Sequence, residues 1–97
     1  MRQSADSVDE VADLFRALGS PVRLALLAHL ESGAATVTEL VAALGASQPL
    51  VSQHLRVLRQ HRLVASVRRG QSVVYEITDE HVSHIIGDAI AHLKEKS

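Results

Sequence analysis

The sequence predicts a mainly α-helical chain with one β-hairpin, an α+β domain. Three observations predict it. Apolar residues recur at helical spacing through most of the 97 residues. One stretch, Leu63 to Ile77, instead holds two short strand-like runs around Arg69-Gly70-Gln71. Hydrophobic residues make up 46% of the chain and aromatic residues only 2%, which suits an aliphatic helical core better than a β-sandwich. The length supports a single domain over residues 1–97 with one modest core. There is no cysteine, which excludes disulfides, thiolate metal ligands and thiol redox sensing. No signal-peptide pattern and no apolar run of about 18 residues is present, so the expected location is cytoplasmic, away from any membrane.

Met1 to Asp6 reads as a polar, frayed start. Ser7 followed by Glu10 is a capping-box pattern. Val8, Val11, Ala12, Phe15 and Leu18 then carry a first helix to a stop at Gly19. Ser20-Pro21 opens a second, with Ser as cap and Pro at the first position. Leu24, Leu27, Ala28 and Leu30 are its expected core side, and Gly33 its end. Thr36 or Thr38 caps a short third helix, with Glu39 completing a box from Thr36. It carries Leu40, Val41 and Leu44 and breaks at Gly45.

Ser47 caps a fourth helix with Pro49 near its start. Val51, Leu55 and Leu58 form its buried stripe, and Gln48, Ser52, Gln53, Arg56 and Arg59 fall on the opposite arc. A short helix, a glycine turn and a second helix with an amide, hydroxyl and guanidinium face is a helix-turn-helix pattern. There the second helix enters the major groove, where Gln can read adenine and Arg guanine. A plain helical hairpin with a polar outer face would show the same residues. The hairpin that follows, strand Leu63 to Arg68 and strand Ser72 to Ile77, would be a wing. Arg68 and Arg69 sit at its tip, within reach of phosphate or the minor groove.

Charge distribution points the same way. Net charge is −1, yet Leu40 to Tyr75 contains no Asp or Glu and holds five of the ten basic residues. A basic middle between acidic flanks suits a polyanion site on a chain that is not basic overall. The candidate DNA-contacting residues are Ser47, Gln48, Ser52, Gln53, Arg56, Arg68 and Arg69.

The last helix, roughly Glu80 to Lys94, has a wide apolar face in Val82, Ile85, Ile86, Ala89, Ile90 and Leu93. The first and last helices are the expected homodimer interface. Asp79 and His81 open this last helix, and His92 and Glu95 close it. His81 and His92 are eleven positions apart, which returns to one face within about 20° but travels roughly 16 Å. Metal–nitrogen bonds are about 2 Å, so one helix cannot bring both pairs to one ion. Two antiparallel copies related by a two-fold axis can. The two pairs are centred at Gly87, where side-chain-free backbone allows close approach. Two imidazoles and two carboxylates suit zinc, or cobalt in the same geometry. A solvated polar stripe that also includes His84 and Asp88 accounts for the same residues.

The segment VSQHLRVLRQHRLV from Val51 to Val64, the wing RGQSVVY from Arg69 to Tyr75, and Asp79-x-His81 with His92-x-x-Glu95 resemble the ArsR/SmtB family of metal-responsive repressors. The likeness runs from about Val8 to Glu95 and is specific in the winged-helix part. It implies a homodimeric winged helix-turn-helix, not an enzyme, with two Zn2+ sites across the antiparallel last helices. Asp79 and His81 of one chain would pair with His92 and Glu95 of the other. It implies a metal-free dimer bound to an inverted-repeat operator in double-stranded DNA, released by zinc to free genes for metal export or sequestration. It also implies a hydrogen bond from the ligand at His92 to the backbone carbonyl of Arg62. The cysteine site of other members is absent, with Val37-Thr38-Glu39-Leu40 in its place. The extra ligands of Ni2+-sensing members have no clear counterpart. A regulator that senses nickel or cobalt, or one with a purely structural metal, is the alternative reading. A zinc hydrolase needs an open coordination position, which a full four-ligand site does not leave.

Overall fold

The computed structural model describes residues 2–95, with side chains from residue 7 onward. The first helix, α1 (Arg2–Leu18), begins before the Ser7–Glu10 pattern, which therefore lies inside it. A capping box favours a start without forcing one, and a serine side chain inside a helix simply faces water. The expectation of a frayed Met1 to Asp6 is corrected for Arg2 to Asp6, whose backbone is helical.

Helix α2 (Pro21–Leu30) starts as expected: Ser20 accepts from the Arg23 amide and proline occupies the first turn. Its core side is shifted, however. Leu26, Leu27 and Leu30 are buried, whereas Leu24 is 40% exposed and Ala28 faces solvent. Apolar residues ring this helix, so periodicity alone does not choose a face. A two-residue strand, β1 (Ala35–Thr36), follows and was not anticipated. Thr36 and Glu39 then form a complete capping box at the head of α3 (Val37–Leu44). Gly45 ends it at φ 65, a left-handed conformation that costs glycine nothing.

Ser47 caps α4 (Gln48–Gln60), accepting from the Leu50 amide, and Val51, Leu55 and Leu58 are its buried stripe. The helix closes in a Schellman arrangement. The Leu63 amide donates to the Leu58 carbonyl at 2.9 Å and the Arg62 amide to the Arg59 carbonyl at 3.0 Å. The left-handed residue of this cap is Arg62, φ 60, a position glycine usually fills.

Strands β2 (Val64–Arg69) and β3 (Ser72–Ile77) pair antiparallel in one register, from Val64 opposite Ile77 to Arg69 opposite Ser72. The strand thus includes Arg69, and only Gly70 and Gln71 make the turn. Gly70 takes φ 63 at the first central position, as tight hairpins require. On the other edge β1 pairs β3, giving a sheet of order β1-β3-β2. Helix α5 (Glu80–Glu95) completes the chain.

The core lies where α2, α3 and α4 meet the sheet, with Leu26, Leu27, Leu40, Leu55, Leu58 and Leu63 almost wholly enclosed. Leucine after leucine fills it, as the aliphatic composition foretold. The chain is more extended than one core requires. Its radius of gyration is 14.5 Å, against about 13 Å for a compact domain of this length. Val8 is 65%, Phe15 55% and Leu93 68% exposed, apolar side chains on the first and last helices.

Candidate nucleic-acid interface and metal centre

The reading face is built by the two helix caps. Gly45 and Ser47 set the turn between α3 and α4, and burial of Val51, Leu55 and Leu58 turns the other arc of α4 outward. Gln48, Gln53, Arg56 and Arg59 are exposed there, and Ser52 is half-buried. The Gln48 amide donates to the Ser52 hydroxyl at 3.0 Å, one turn along. This fixes the Gln48 side chain along the helix and leaves its carbonyl oxygen and second amide proton for a partner. The Ser47 hydroxyl accepts from the Leu50 amide at 3.3 Å, so it caps the helix and retains its own proton as a donor.

Arg68 and Arg69 are exposed at the end of the hairpin. Arg69 is not free of partners: its guanidinium lies 3.6 Å from the Glu76 carboxylate, across the hairpin. A carboxylate beside a candidate phosphate contact weakens that contact, since both compete for one cation. Glu76 was not singled out in the sequence, because nothing in its local pattern places it beside Arg69. Only the folded hairpin does: Arg69 pairs with Ser72, and its long side chain runs back along the sheet to Glu76.

The four candidate metal ligands are exposed and stand at the two ends of α5, Asp79 and His81 at one, His92 and Glu95 at the other. Within one copy no three His, Asp or Glu side chains gather among the described residues. Asp79 also serves as the cap of α5: its Oδ1 accepts from the His81 amide at 3.0 Å and the Val82 amide at 3.2 Å. Those bonds hold the carboxylate rigidly and leave Oδ2 as a donor atom. Two accessible imidazoles, one pre-oriented carboxylate and a second exposed carboxylate are the right donor chemistry for a zinc-sized ion.

The end of α4 and the start of α5 adjoin. A groove lined by Arg59, Arg62, Ser66, Thr78 and Asp79 lies between them. The carbonyl of Arg62 accepts a hydrogen bond there from the Thr78 hydroxyl at 2.8 Å. Thr78 was also not foreseen, because its contact spans sixteen residues and depends on the Schellman turn.

A two-helix reading unit followed by an arginine-tipped hairpin, which β1 completes into a three-stranded sheet, defines a winged helix-turn-helix DNA-binding domain. Residues 20–66 match the family described as "Bacterial regulatory protein, arsR family". The chain is 44% identical over 88 residues to the HTH-type transcriptional repressor SmtB of Mycobacterium tuberculosis, across 91% of this chain. It spans 65% of the length of that relative. It is 38% identical over 92 residues to a transcriptional repressor SmtB homolog of Synechocystis, covering 95% of this chain and 70% of that one. Among solved structures, a homodimeric winged helix-turn-helix DNA-binding domain from Mycobacterium bovis superposes with a TM-score of 0.90 at 27% identity, covering 98% of this chain and 88% of that chain. The chain belongs to the ArsR family, a family of transcriptional regulators rather than enzymes. No helix among the described residues is long and apolar enough to cross a membrane.

Proposed function

We propose that this chain is a zinc-responsive transcriptional repressor. As a metal-free homodimer it binds an inverted-repeat operator, with Ser47, Gln48, Ser52, Gln53 and Arg56 of α4 in the major groove and Arg68 and Arg69 on flanking phosphate. Zinc held by Asp79 and His81 of one copy and His92 and Glu95 of the other lowers that affinity. Derepression of metal export or sequestration genes follows.

The observation that carries this reading is the placement of the two ligand pairs around Gly87. An added Cβ at Gly87 would meet nothing within 4 Å, so packing within this chain does not require glycine there. Glycine in a helix interior costs about 1 kcal/mol relative to alanine. A second α5 crossing antiparallel at that point gives the glycine a use, brings each ligand pair to its complement and covers Ile90 and Leu93. The exposed apolar residues of α1 extend the same interface. The repressor names of the relatives and the homodimeric state of the M. bovis domain support it.

Bound zinc would supply a fixed bridge between the two helices. The response is this chain's own: the His92 imidazole, once one nitrogen is a ligand, has its other N–H to donate. The acceptor proposed for it is the Arg62 carbonyl of the other copy, at the end of that copy's reading helix. That oxygen has two lone pairs, so the bond from Thr78 leaves room for a second donor.

The test is a titration of zinc into the metal-free dimer on a labelled inverted-repeat duplex, followed by anisotropy. The expected result is release at one zinc per protomer. DNA binding that zinc leaves unchanged, with release by nickel or cobalt instead, would move the reading to its alternative. Binding unchanged by all three metals would overturn the sensor assignment.

A further inference from the structure

One side chain ties three helices together, and no part of the function proposed above uses it. Arg23, on the first turn of α2, is half-buried. Its Nε donates to the carbonyl of Ala17 at 2.6 Å and its Nη2 to the carbonyl of Arg16 at 3.4 Å. These carbonyls belong to the last turn of α1, where a cation is favourably placed, and that of Arg16 also accepts from the Gly19 amide at 3.2 Å. The remaining arm, Nη1, lies 3.2 Å from Nδ1 of His54. A guanidinium only donates, so Nδ1 must accept. His54 is half-buried on α4, directly beside the exposed Gln53.

The consequence is geometric. Helix α1 presents Val8, Val11 and Phe15 as exposed apolar residues, and α4 presents the reading face. In a two-fold dimer the separation of the two reading helices follows from how each α4 is held against the helices of the interface. That separation has to match half-sites about one helical turn apart, roughly 34–36 Å. The Arg23 fork is a polar link from the end of α1 through α2 to the middle of α4. Lysine has no planar fork and cannot hold two carbonyls and an imidazole at once.

We propose that Arg23, acting through His54, is a positioning residue that sets the half-site spacing the dimer accepts. The proposal rests on the reading of the chain as a DNA-binding homodimer. Neither residue contacts bases in it.

The test uses the full chain and an inverted-repeat duplex selected from a random library by the wild-type dimer. Two further duplexes have one base pair added or removed between the half-sites. Wild type is expected to lose at least about tenfold in affinity on either change. Arg23→Met and His54→Leu should flatten that preference to within about threefold. Their salt dependence should match wild type, because no phosphate contact is lost. His54→Gln, whose amide oxygen can accept, should keep the wild-type spacing preference. The double variant Arg23→Met/His54→Leu should be no flatter than either single one, as expected for two ends of one contact. Wild-type spacing preference in both single variants, or additive effects in the double one, overturns the proposal. If Arg23→Met fails to fold, the pair His54→Leu and His54→Gln decides it alone. Failure of wild type to select any inverted repeat would instead strike the DNA-binding reading itself.

Discussion

The Thr78 hydroxyl donates to the Arg62 carbonyl at 2.8 Å, while the Thr78 amide donates to the next carbonyl, that of Leu63, at 3.2 Å. One residue at the foot of α5 thus holds two consecutive carbonyls at the end of the reading helix. It locks the Schellman turn whose left-handed residue, Arg62, has φ 60. Thr78→Val keeps the shape and removes only the hydroxyl. It should lower stability by about 1 kcal/mol, the usual net value of such a bond. Thr78→Ser should retain most of it. Urea unfolding at one fixed protein concentration measures both. A loss in Thr78→Ser with none in Thr78→Val would assign the effect to packing of the threonine methyl.

Asp79 carries two roles that substitution can separate. Asparagine is as good a helix cap as aspartate, so Asp79→Asn should leave stability nearly unchanged, whereas Asp79→Ala should cost about 1 kcal/mol through loss of the His81 and Val82 amide contacts. Both remove the carboxylate and should weaken zinc binding in competition with a chelating dye. His92→Asn should fold, bind the operator and no longer respond to zinc. Unaltered zinc affinity in Asp79→Asn, or normal zinc release from DNA in His92→Asn, would remove that residue from the site.

Local chemistry accounts for what the sequence already made visible. Ser20-Pro21, Thr36 with Glu39, Gly45 and Ser47 each satisfy or end a helix through contacts a few residues away, and all took their expected places. What could not be seen was non-local. The strand β1 exists because Ala35 and Thr36 meet Tyr75 and Val74, about forty residues on. Leu26 is buried in place of Leu24 because tertiary packing chooses among the apolar residues that ring α2. Glu76 beside Arg69, Thr78 beside Arg62 and Arg23 beside His54 all depend on register or docking. The four candidate ligands stand at the two ends of α5, as helical periodicity places them, and their joining by a second copy is the proposal made above.

Reading helix and wing should separate in their sequence dependence. Gln53→Ala should narrow the gap between operator and unrelated duplex by about 1–3 kcal/mol if the amide makes a bidentate base contact. Arg69→Ala should weaken all duplexes alike and reduce the salt slope by about one. Glu76→Gln removes the competitor of Arg69, so it should raise affinity for every duplex. The Arg69–Glu76 pair is well exposed, and such pairs contribute little to folding, so stability should hardly change. Affinity across a salt series for operator and scrambled DNA is the measurement. A loss of affinity in Glu76→Gln would show that Glu76 orients Arg69 for DNA rather than competing for it.

Gly87 offers the sharpest test of how two copies meet. Nothing in this chain lies within 4 Å of where its Cβ would stand, and the backbone there is ordinary helix. Leucine is a far better helix former than glycine, so Gly87→Leu should leave the fold of each copy intact and make α5 more helical. If two α5 helices cross at this point, the new side chain must push them apart. The dimer should then dissociate at least tenfold more readily, about 1.4 kcal/mol. Separation of the helices also draws Asp79 and His81 away from the partner's His92 and Glu95, so zinc affinity should fall with it although no ligand has changed. Sedimentation equilibrium and zinc competition on the same preparation measure both. A dimer and a zinc affinity that tolerate leucine together would mean that the helices cross elsewhere, and the intersubunit ligand pairing would go with them.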